Sequence, residues 1–494
     1  MDNDVGEEIT FSAIFPLPFR VLVLAGLGIL AWATNLHGLA LAGIDTASAM
    51  HLESRHRSTK SDRRRDSPLP TQQRAGWKQV AHPATFYKPV YLLSSQWILI
   101  TGVAWLLYRI ATSGSLGLVD VFRYIPAVTG LFMFMLLVSP FDAFARQERD
   151  AFLQAVFRCL FAPSGQPVHF SDVVLADVFT SYAKVIGDIW LSLCMLLPHG
   201  SLLVQPRYAG WTRWILPTLM SLPSAVRFRQ CIIDYRVPGN RLRRPLYNAI
   251  KYASAFPVIY LSAAQRLVPS DVPPTLDLQG SWLQTHPLFR LWLFAAAVNS
   301  LYSFWWDVTH DWGFDLLSFR GQSGLASKNV MRSPPRRLLL AKKHSLSDDI
   351  EDISNEELNT PRSPIYHEPR RHAFGLRPTL LFPLPVYPFA ILVDLVLRLT
   401  WSVKLSSHLH LKTEGDLLIF WIEMAELVRR WMWLFLRVEW EVVKERGSNR
   451  SRRPSYSETS FNGFPSPGTP GTMGSAMPEE YEMSQGTSSQ LPRA

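Results

Sequence analysis

The side chains in this sequence best placed to do chemistry are charges set inside apolar runs. Asp307 and Asp311 stand four residues apart in WWDVTHDW, at the end of the run that begins at Leu291, with Trp305, Trp306 and Trp312 beside them. On an α-helix that spacing puts both carboxylates on one face. Asp177, Ser181, Lys184 and Asp188 recur at four, three and four residues, the pattern of a single helical stripe. VRFRQCIIDY holds Arg227, Arg229 and Asp234, and NAIKYAS holds Asn248, Lys251 and Tyr252. LVDLVLRLTWSVK sets Asp394, Arg398 and Trp401 at intervals of four and three, and MAELVRRWMW places Glu426 four before Arg430, with Arg429 between.

Each charge has a mundane reading of its own. Arg229 and Arg437, near helix ends, read as snorkelling to headgroups. Asp394 with Arg398, and Glu426 with Arg430, read as helix-stabilising ion pairs as readily as ligand contacts, and Trp401 and Trp431 as interfacial anchors. What these readings do not explain is the accumulation, because an unpaired charge in hydrocarbon costs about 2.5–3.5 kcal/mol on insertion scales. A shared polar pathway explains all of them together. Its chemistry suits an anion: Arg227, Lys251, Arg398, Arg429 and Arg430 outnumber the acids expected on the deep faces, and a guanidinium matches phosphate or carboxylate oxygens bidentately. Asp177, Asp307 and Asp311 would hold those cations in position and limit how tightly a dianion binds, since a conducting site must release what it captures. No nucleophile and base constellation, metal-ligand spacing or glycine-rich phosphate loop is present, so neither an enzyme nor a cofactor is expected. Cys159, Cys194 and Cys231 are isolated, which supports neither a disulfide framework nor a zinc site.

The elements that must position these residues are membrane helices. The 494 residues are 48% hydrophobic and include 17 Trp, but apolar blocks alternate with highly polar ones, the signature of an all-α polytopic membrane protein. Nine spans are expected, at about 15–44, 87–110, 122–140, 172–197, 211–233, 246–261, 288–306, 380–403 and 417–436. An amphipathic segment at 142–171 is expected along the membrane surface, with Phe152, Val156, Phe157 and Leu160 on its apolar side. The excess of 50 Lys and Arg over 40 Asp and Glu lies in alternate loops, so it reads as topology and not as nucleic-acid binding. The basic loops at 46–85 and 236–244, the insert 319–377 and the tail 442–494 fall on one side, which makes that side cytosolic and the N-terminus, 1–14, luminal. Insert and tail lack apolar periodicity and read as disordered.

The segments LPSAVRFRQCIIDY with NAIKYAS, WDVTHDWG, LVLRLTWSV and ELVRRWMWLFLRVE, in that order, resemble the EXS domain of eukaryotic phosphate exporters. The likeness covers about residues 15–441, with the six-helix transport core at 172–441. It is greatest to the ER-retention-defective branch, Golgi membrane proteins that consist of the membrane region alone. The resemblance implies inorganic phosphate as the cargo, recovered from the lumen where glycosylation releases it, and a role in retaining Golgi and ER residents. Its phosphate-pathway residues correspond to Asp177, Arg227, Lys251, Tyr252, Asp307, Asp311, Arg398, Trp401, Arg429 and Arg430. The chain departs from the plasma-membrane exporters at two places: Asp234 stands where they carry an arginine before the tyrosine, and Leu216 where they carry one near the start of the same helix, with Arg213 one turn earlier as a substitute.

Two function classes follow. One is a phosphate transporter or channel of the Golgi membrane, cycling with the endoplasmic reticulum, its C-terminus cytosolic. The other is a non-transporting adaptor that recycles glycosyltransferases through coat or retention machinery. The expected partners are thus inorganic phosphate, the lipid bilayer and, in either class, Golgi glycosyltransferases or coat and retention machinery, with a homodimer allowed and nucleic acid excluded. Regulation through an inositol-polyphosphate-sensing domain is not expected. The sequon Asn449-Arg450-Ser451 tests the orientation: peptide mass spectrometry of the protein from eukaryotic cells should find Asn449 bare, and a glycan there would invert the assigned topology.

Overall fold

A computed structural model describes residues 11–44, 46, 50, 84–142, 144–161, 168–198, 200–204, 206, 210–237, 242–265, 287–314, 316, 376–377, 379–401 and 415–452. All regular structure among them is helical. The basic loop at 46–85 and the insert 319–377 lie almost wholly outside these residues. The principal helices are α1 (Leu17–Leu41), α2 (Ala84–Thr112), α3 (Tyr124–Val138), α4 (Arg146–Phe161), α5 (Phe170–Ser181), α6 (Ala183–Leu196), α7 (Ile215–Arg236), α8 (Arg244–Ala253), α9 (Ala255–Gln265), α10 (Pro287–Trp306), α11 (Val386–Trp401) and α12 (Gly415–Arg452). Each expected span has a helix in its place. Individually, 17–41, 84–112 and 116–138 are long and apolar enough to cross a membrane, and α5 with α6 makes a fourth if its two halves, bent by 62°, are one span. The others are shorter, broken or less apolar.

Charged side chains are buried among the apolar core clusters while large apolar side chains stand exposed. Leu99, Leu106 and Ile110 on α2 and Leu131, Phe134 and Met135 on α3 stand more than half exposed, whereas Asp177, Arg227, Lys251, Asp307, Asp394 and Arg429 are buried. That inverts the pattern of a water-soluble domain, and a hydrocarbon surround accounts for it. α1 lies along α2 and ends in a left-handed cap, Gly43 at φ 74°, with the Ile44 N–H bonded to the Leu39 carbonyl at 2.9 Å. The amphipathic helix α4 is tied to the end of α3 by the buried Arg149, whose guanidinium donates to the carbonyls of Ser139 and Phe141, both at 3.0 Å. It is tied to the start of α5 by Arg158, which pairs in two-pronged fashion with Asp172 at 2.5 and 2.8 Å. Phe157 and Phe161 are left about two-thirds exposed.

Breaks in the helices matter as much as the helices. The stripe Asp177, Ser181, Lys184, Asp188, expected on one face of one helix, is cut at Tyr182. Its backbone (φ −88°, ψ 8°) leaves the α-helical region, and its phenol reaches across to the Leu24 carbonyl at 3.1 Å. Gly28 makes room for that phenol, since a Cβ there would fall 1.9 Å from the hydroxyl. The expected span 246–261 breaks at Ser254, because Pro257 has no N–H for the Ala253 carbonyl and its ring crowds it. WWDVTHDW leaves the α-helix as well: Asp307–Asp311 forms a π-turn in which the Trp312 N–H bonds the Asp307 carbonyl at 2.9 Å. Gly313 then turns the chain at φ 69° against the Trp440 ring. At the other end, α12 runs on to Arg452, past the expected start of the tail at 442. Glu441 draws it on by pairing with Arg437 and Lys444, each at 2.8 Å; the tail beyond 452 lies outside the described residues.

Gly28→Val should displace Tyr182 and cost about 1–3 kcal/mol through overpacking. The check is the thermal unfolding midpoint in detergent, and an unchanged midpoint would mean that this seat does not hold the break.

Candidate functional site

The buried charges converge where α5, α7, α8, α10, α11 and α12 meet. Asp177 lies near the end of α5, and its Oδ1 accepts from Arg227 Nε at 2.7 Å and from the Tyr252 hydroxyl at 2.5 Å. Arg227 also donates to Gln230 Oε1 at 2.6 Å and lies over the Tyr252 ring at 4.8 Å. Lys251 on α8 sits between the two acids of the π-turn, Nζ donating to Asp307 Oδ1 at 2.8 Å and reaching Asp311 Oδ2 at 3.4 Å. The other oxygen of Asp307 takes Arg398 from α11, and Arg429 stands 3.8 Å away. Arg429 itself is held by Asp394 at 3.0 Å and by both oxygens of Glu426 at 2.6 and 2.9 Å. Arg430 is different. Its guanidinium donates to the hydroxyls of Ser181 at 2.9 Å and Thr180 at 3.0 Å and lies over Trp433, and among the described residues no carboxylate comes within 4.0 Å of it.

These groups surround a cavity of about 50 Å³, several times the ~10–15 Å³ that a water needs. Lys251, Arg398, Arg429 and Arg430 line it, with only Asp177 and Glu426 as carboxylates on the wall; Thr180, Ser224, Asn299, Ser300 and Ser303 supply hydroxyl and amide groups. The expected excess of cations is therefore not a matter of number, because Asp394 and Glu426 bring the buried acids level with the five bases. It is a matter of position. Asp307, Asp311 and Asp394 stand behind the bases and hold them forward, leaving the wall cationic.

Of the two ion pairs read from helical spacing, one is reassigned and the other is kept but shared. Glu426 pairs with Arg429, three residues on, and not with Arg430, because Arg430 turns toward α5 and its hydroxyls. Asp394 keeps its pair with Arg398 at 3.7 Å but holds Arg429 more closely, at 3.0 Å, while Arg398 is also drawn to Asp307 in the π-turn after α10. Arg437 does not snorkel: it is buried between Glu441 and Asp311, over the Phe170 ring. Trp401 closes α11, and its side chain lies outside the described residues. The hydroxyl and amide groups escaped the sequence reading, although Asn299 and Ser303 continue backward, at four-residue steps, the stripe of Asp307 and Asp311.

Lys184 and Asp188, the far half of the broken stripe, pair with each other on the wall of a second cavity of about 320 Å³. It is the next space along the same helices: Met220 replaces Ser224 on α7, Ile259 replaces Ala255 on α9, and Glu423 replaces Glu426 on α12. Arg20 reaches into it from α1, donating to Ser12 at 2.7 Å and lying 3.4 Å from Asp416. Arg213 and Leu216 share this wall. Three bases, Arg20, Lys184 and Arg213, face three acids, Asp188, Asp416 and Glu423. This outer cavity has no cationic bias.

Residues 15–443 match the EXS family. The chain belongs to the EXS family. The match takes in α1 to α3 as well as the charged helices, so the family's common region is wider than the six helices around the cavity. This EXS chain is 28% identical to Protein ERD1 homolog 1 of Schizosaccharomyces pombe over 442 residues, covering 88% of the chain and 92% of that protein. It is 27% identical to Protein ERD1 of Kluyveromyces lactis over 63% of the chain and 71% of that protein. Solute carrier family 53 member 1 of Mus musculus is 24% identical over 76% of the EXS chain but only 48% of its own length.

Asp307 is shared by Lys251 and Arg398, so Asp307→Asn should leave two buried cations short of a partner and cost about 3–5 kcal/mol. Lys251→Met added to it should recover part of that loss, because the two changes act on one contact. Thermal midpoints of the two single variants and the double variant in detergent check the coupling; strictly additive losses would contradict it.

Proposed function

We propose that this protein carries inorganic phosphate across the Golgi membrane, from lumen to cytosol, through the cavity at Asp177, Lys251, Arg398, Arg429 and Arg430. The observation that carries this reading is the cavity wall. Four cations face a space whose other polar lining is two carboxylates, Asp177 and Glu426, and hydroxyl and amide groups, and each cation but Arg430 is braced from behind by a carboxylate. A buried guanidinium free of any carboxylate needs an anion to complete it, and tetrahedral phosphate offers acceptor oxygens to several converging donors at once. The acids behind the wall keep the net attraction moderate, as release requires. The resemblance to phosphate exporters and the likeness to a protein named as a solute carrier support transport; the resemblance to the ER-retention-defective branch supports the Golgi setting and a part in retaining its residents.

In this reading the helices make nine spans with the N-terminus in the lumen. The balanced cavity at Arg20, Lys184 and Asp188 is the luminal vestibule, and the π-turn at Asp307–Asp311 lies at the cytosolic mouth. The protein is a carrier or channel and not an enzyme. Phosphate released by glycosylation enters the neutral vestibule, is captured at the cationic wall and leaves past Lys251.

Reconstituted into liposomes, the protein should move labelled phosphate, and Arg430→Ala or Arg398→Ala should reduce that flux at least about 100-fold, the loss of roughly 2.7 kcal/mol of stabilisation, while both variants still reach the Golgi. Unchanged flux in both would remove the pathway assignment and leave the adaptor reading, in which the protein recycles glycosyltransferases without transporting.

A further inference from the structure

The two carboxylates on the cavity wall are not equivalent. Glu426 is spent on its neighbours: Arg429 takes both its oxygens, and Ser181 donates to Oε1 at 2.7 Å. Asp177 is engaged on one side only. Arg227 and Tyr252 both donate to Oδ1, and among the described residues no hydrogen bond reaches Oδ2. The residue is 3% exposed and lines the cavity, so Oδ2 is the oxygen left to face whatever occupies it.

An ionised carboxylate can only accept hydrogen bonds. Beside four cations it is the one group on the wall that requires a proton from its ligand. An oxyanion with an acidic hydroxyl can turn that hydroxyl to Oδ2 and keep its bare oxygens for Lys251, Arg398, Arg429 and Arg430. An oxyanion with no proton sets an oxygen lone pair against Oδ2 in a site with little water, which is repulsive. Phosphate keeps at least one proton throughout the neutral range and sulfate keeps none, though the two match closely in shape. The cations attract either ion and cannot tell them apart.

We propose that Asp177 makes this cavity selective for protonated oxyanions, accepting a hydrogen bond at Oδ2 from the acidic hydroxyl of phosphate and excluding sulfate. The proposal rests on the phosphate reading above and adds the group that discriminates. A site built to bond a ligand hydroxyl rejects the analogue without it far more strongly than a site that recognises shape alone, by 10⁴ or more in favourable cases.

The test uses the full chain in liposomes, with labelled phosphate flux measured against arsenate, which also keeps a proton at neutral pH, and against sulfate. In the wild type, arsenate should compete and sulfate should not, even at about 100-fold excess. Asp177→Asn, which puts an amide where Oδ2 stood, should lower the preference for phosphate over sulfate by about 100-fold or more. Tyr252→Phe removes a bond to Oδ1 alone, so it should slow flux and keep the preference. Sulfate competing as well as arsenate in the wild type would overturn the proposal without any variant, and so would undiminished exclusion of sulfate by a folded Asp177→Asn. A wild type that moves no phosphate at all would instead remove the transport reading on which the proposal stands.

Discussion

The carboxylate of Asp307 is the contact on which the rest of the site depends. It is fully buried, takes Lys251 on one oxygen and Arg398 on the other, and has Arg429 just beyond. Three cations from three helices are thereby fixed around one anion contributed by a fourth. A lone charge at this depth would be costly, and a simple pair only marginal, because the desolvation of both partners offsets their attraction. A network in which acids such as Asp307, Asp311 and Asp394 each serve more than one base reduces that penalty. Asp394 and Glu426 extend it by holding Arg429, and Asp177 closes it on the far side through Arg227.

The network forms because the helices that carry it are not regular. A straight helix through Asp177 and Asp188 would keep both on one face; with the bend at Tyr182, Asp177 lines the inner cavity and Asp188 the outer one. The break at Ser254 and the π-turn at Asp307–Asp311 act alike, since each redirects a charged side chain that regular winding would leave elsewhere. Helix ends and π-turns are common at functional sites for this reason. The anchors of these breaks sit in dry packing: Tyr182 against Gly28, and Trp312 and Phe314 in the core they share with Tyr387 and Trp433.

Two cavities of different electrical character result. The larger one has bases and acids in equal number on its wall; the smaller one shows four bases to the space against two acids, Asp177 and Glu426, with the other acids behind the bases. An anion moving from the first to the second goes from a neutral polar space to an attractive one, and a braced guanidinium keeps its position as the anion comes and goes. The same bracing leaves Arg430, held by hydroxyls and the Trp433 ring, as the cation with most to gain from a bound anion.

How much of this was legible in the sequence can be judged residue by residue. The helices, the polar interior and the membership of Lys251, Arg398, Arg429 and Arg430 in one site were all readable, because charge inside an apolar run is expensive enough to need a common explanation. The four-residue spacing of Asp307 and Asp311 rightly put them together, and both reach Lys251. The partners were readable only in part. Spacing along one helix suggested Glu426 with Arg430 and Asp394 with Arg398; the structure gives Glu426 to Arg429 and lets Asp394 keep Arg398 while holding Arg429 more closely, because a side chain in a packed bundle is also claimed by neighbouring helices that no local period reveals. The serines and Asn299 went unnoticed, since small polar groups carry little cost and therefore little signal. The sequence by itself determined which helices had to turn inward, through the cost of burying charge. Only the tertiary structure decided which charge meets which, and which of them face the cavity, because helix breaks and cross-helix distances settle that.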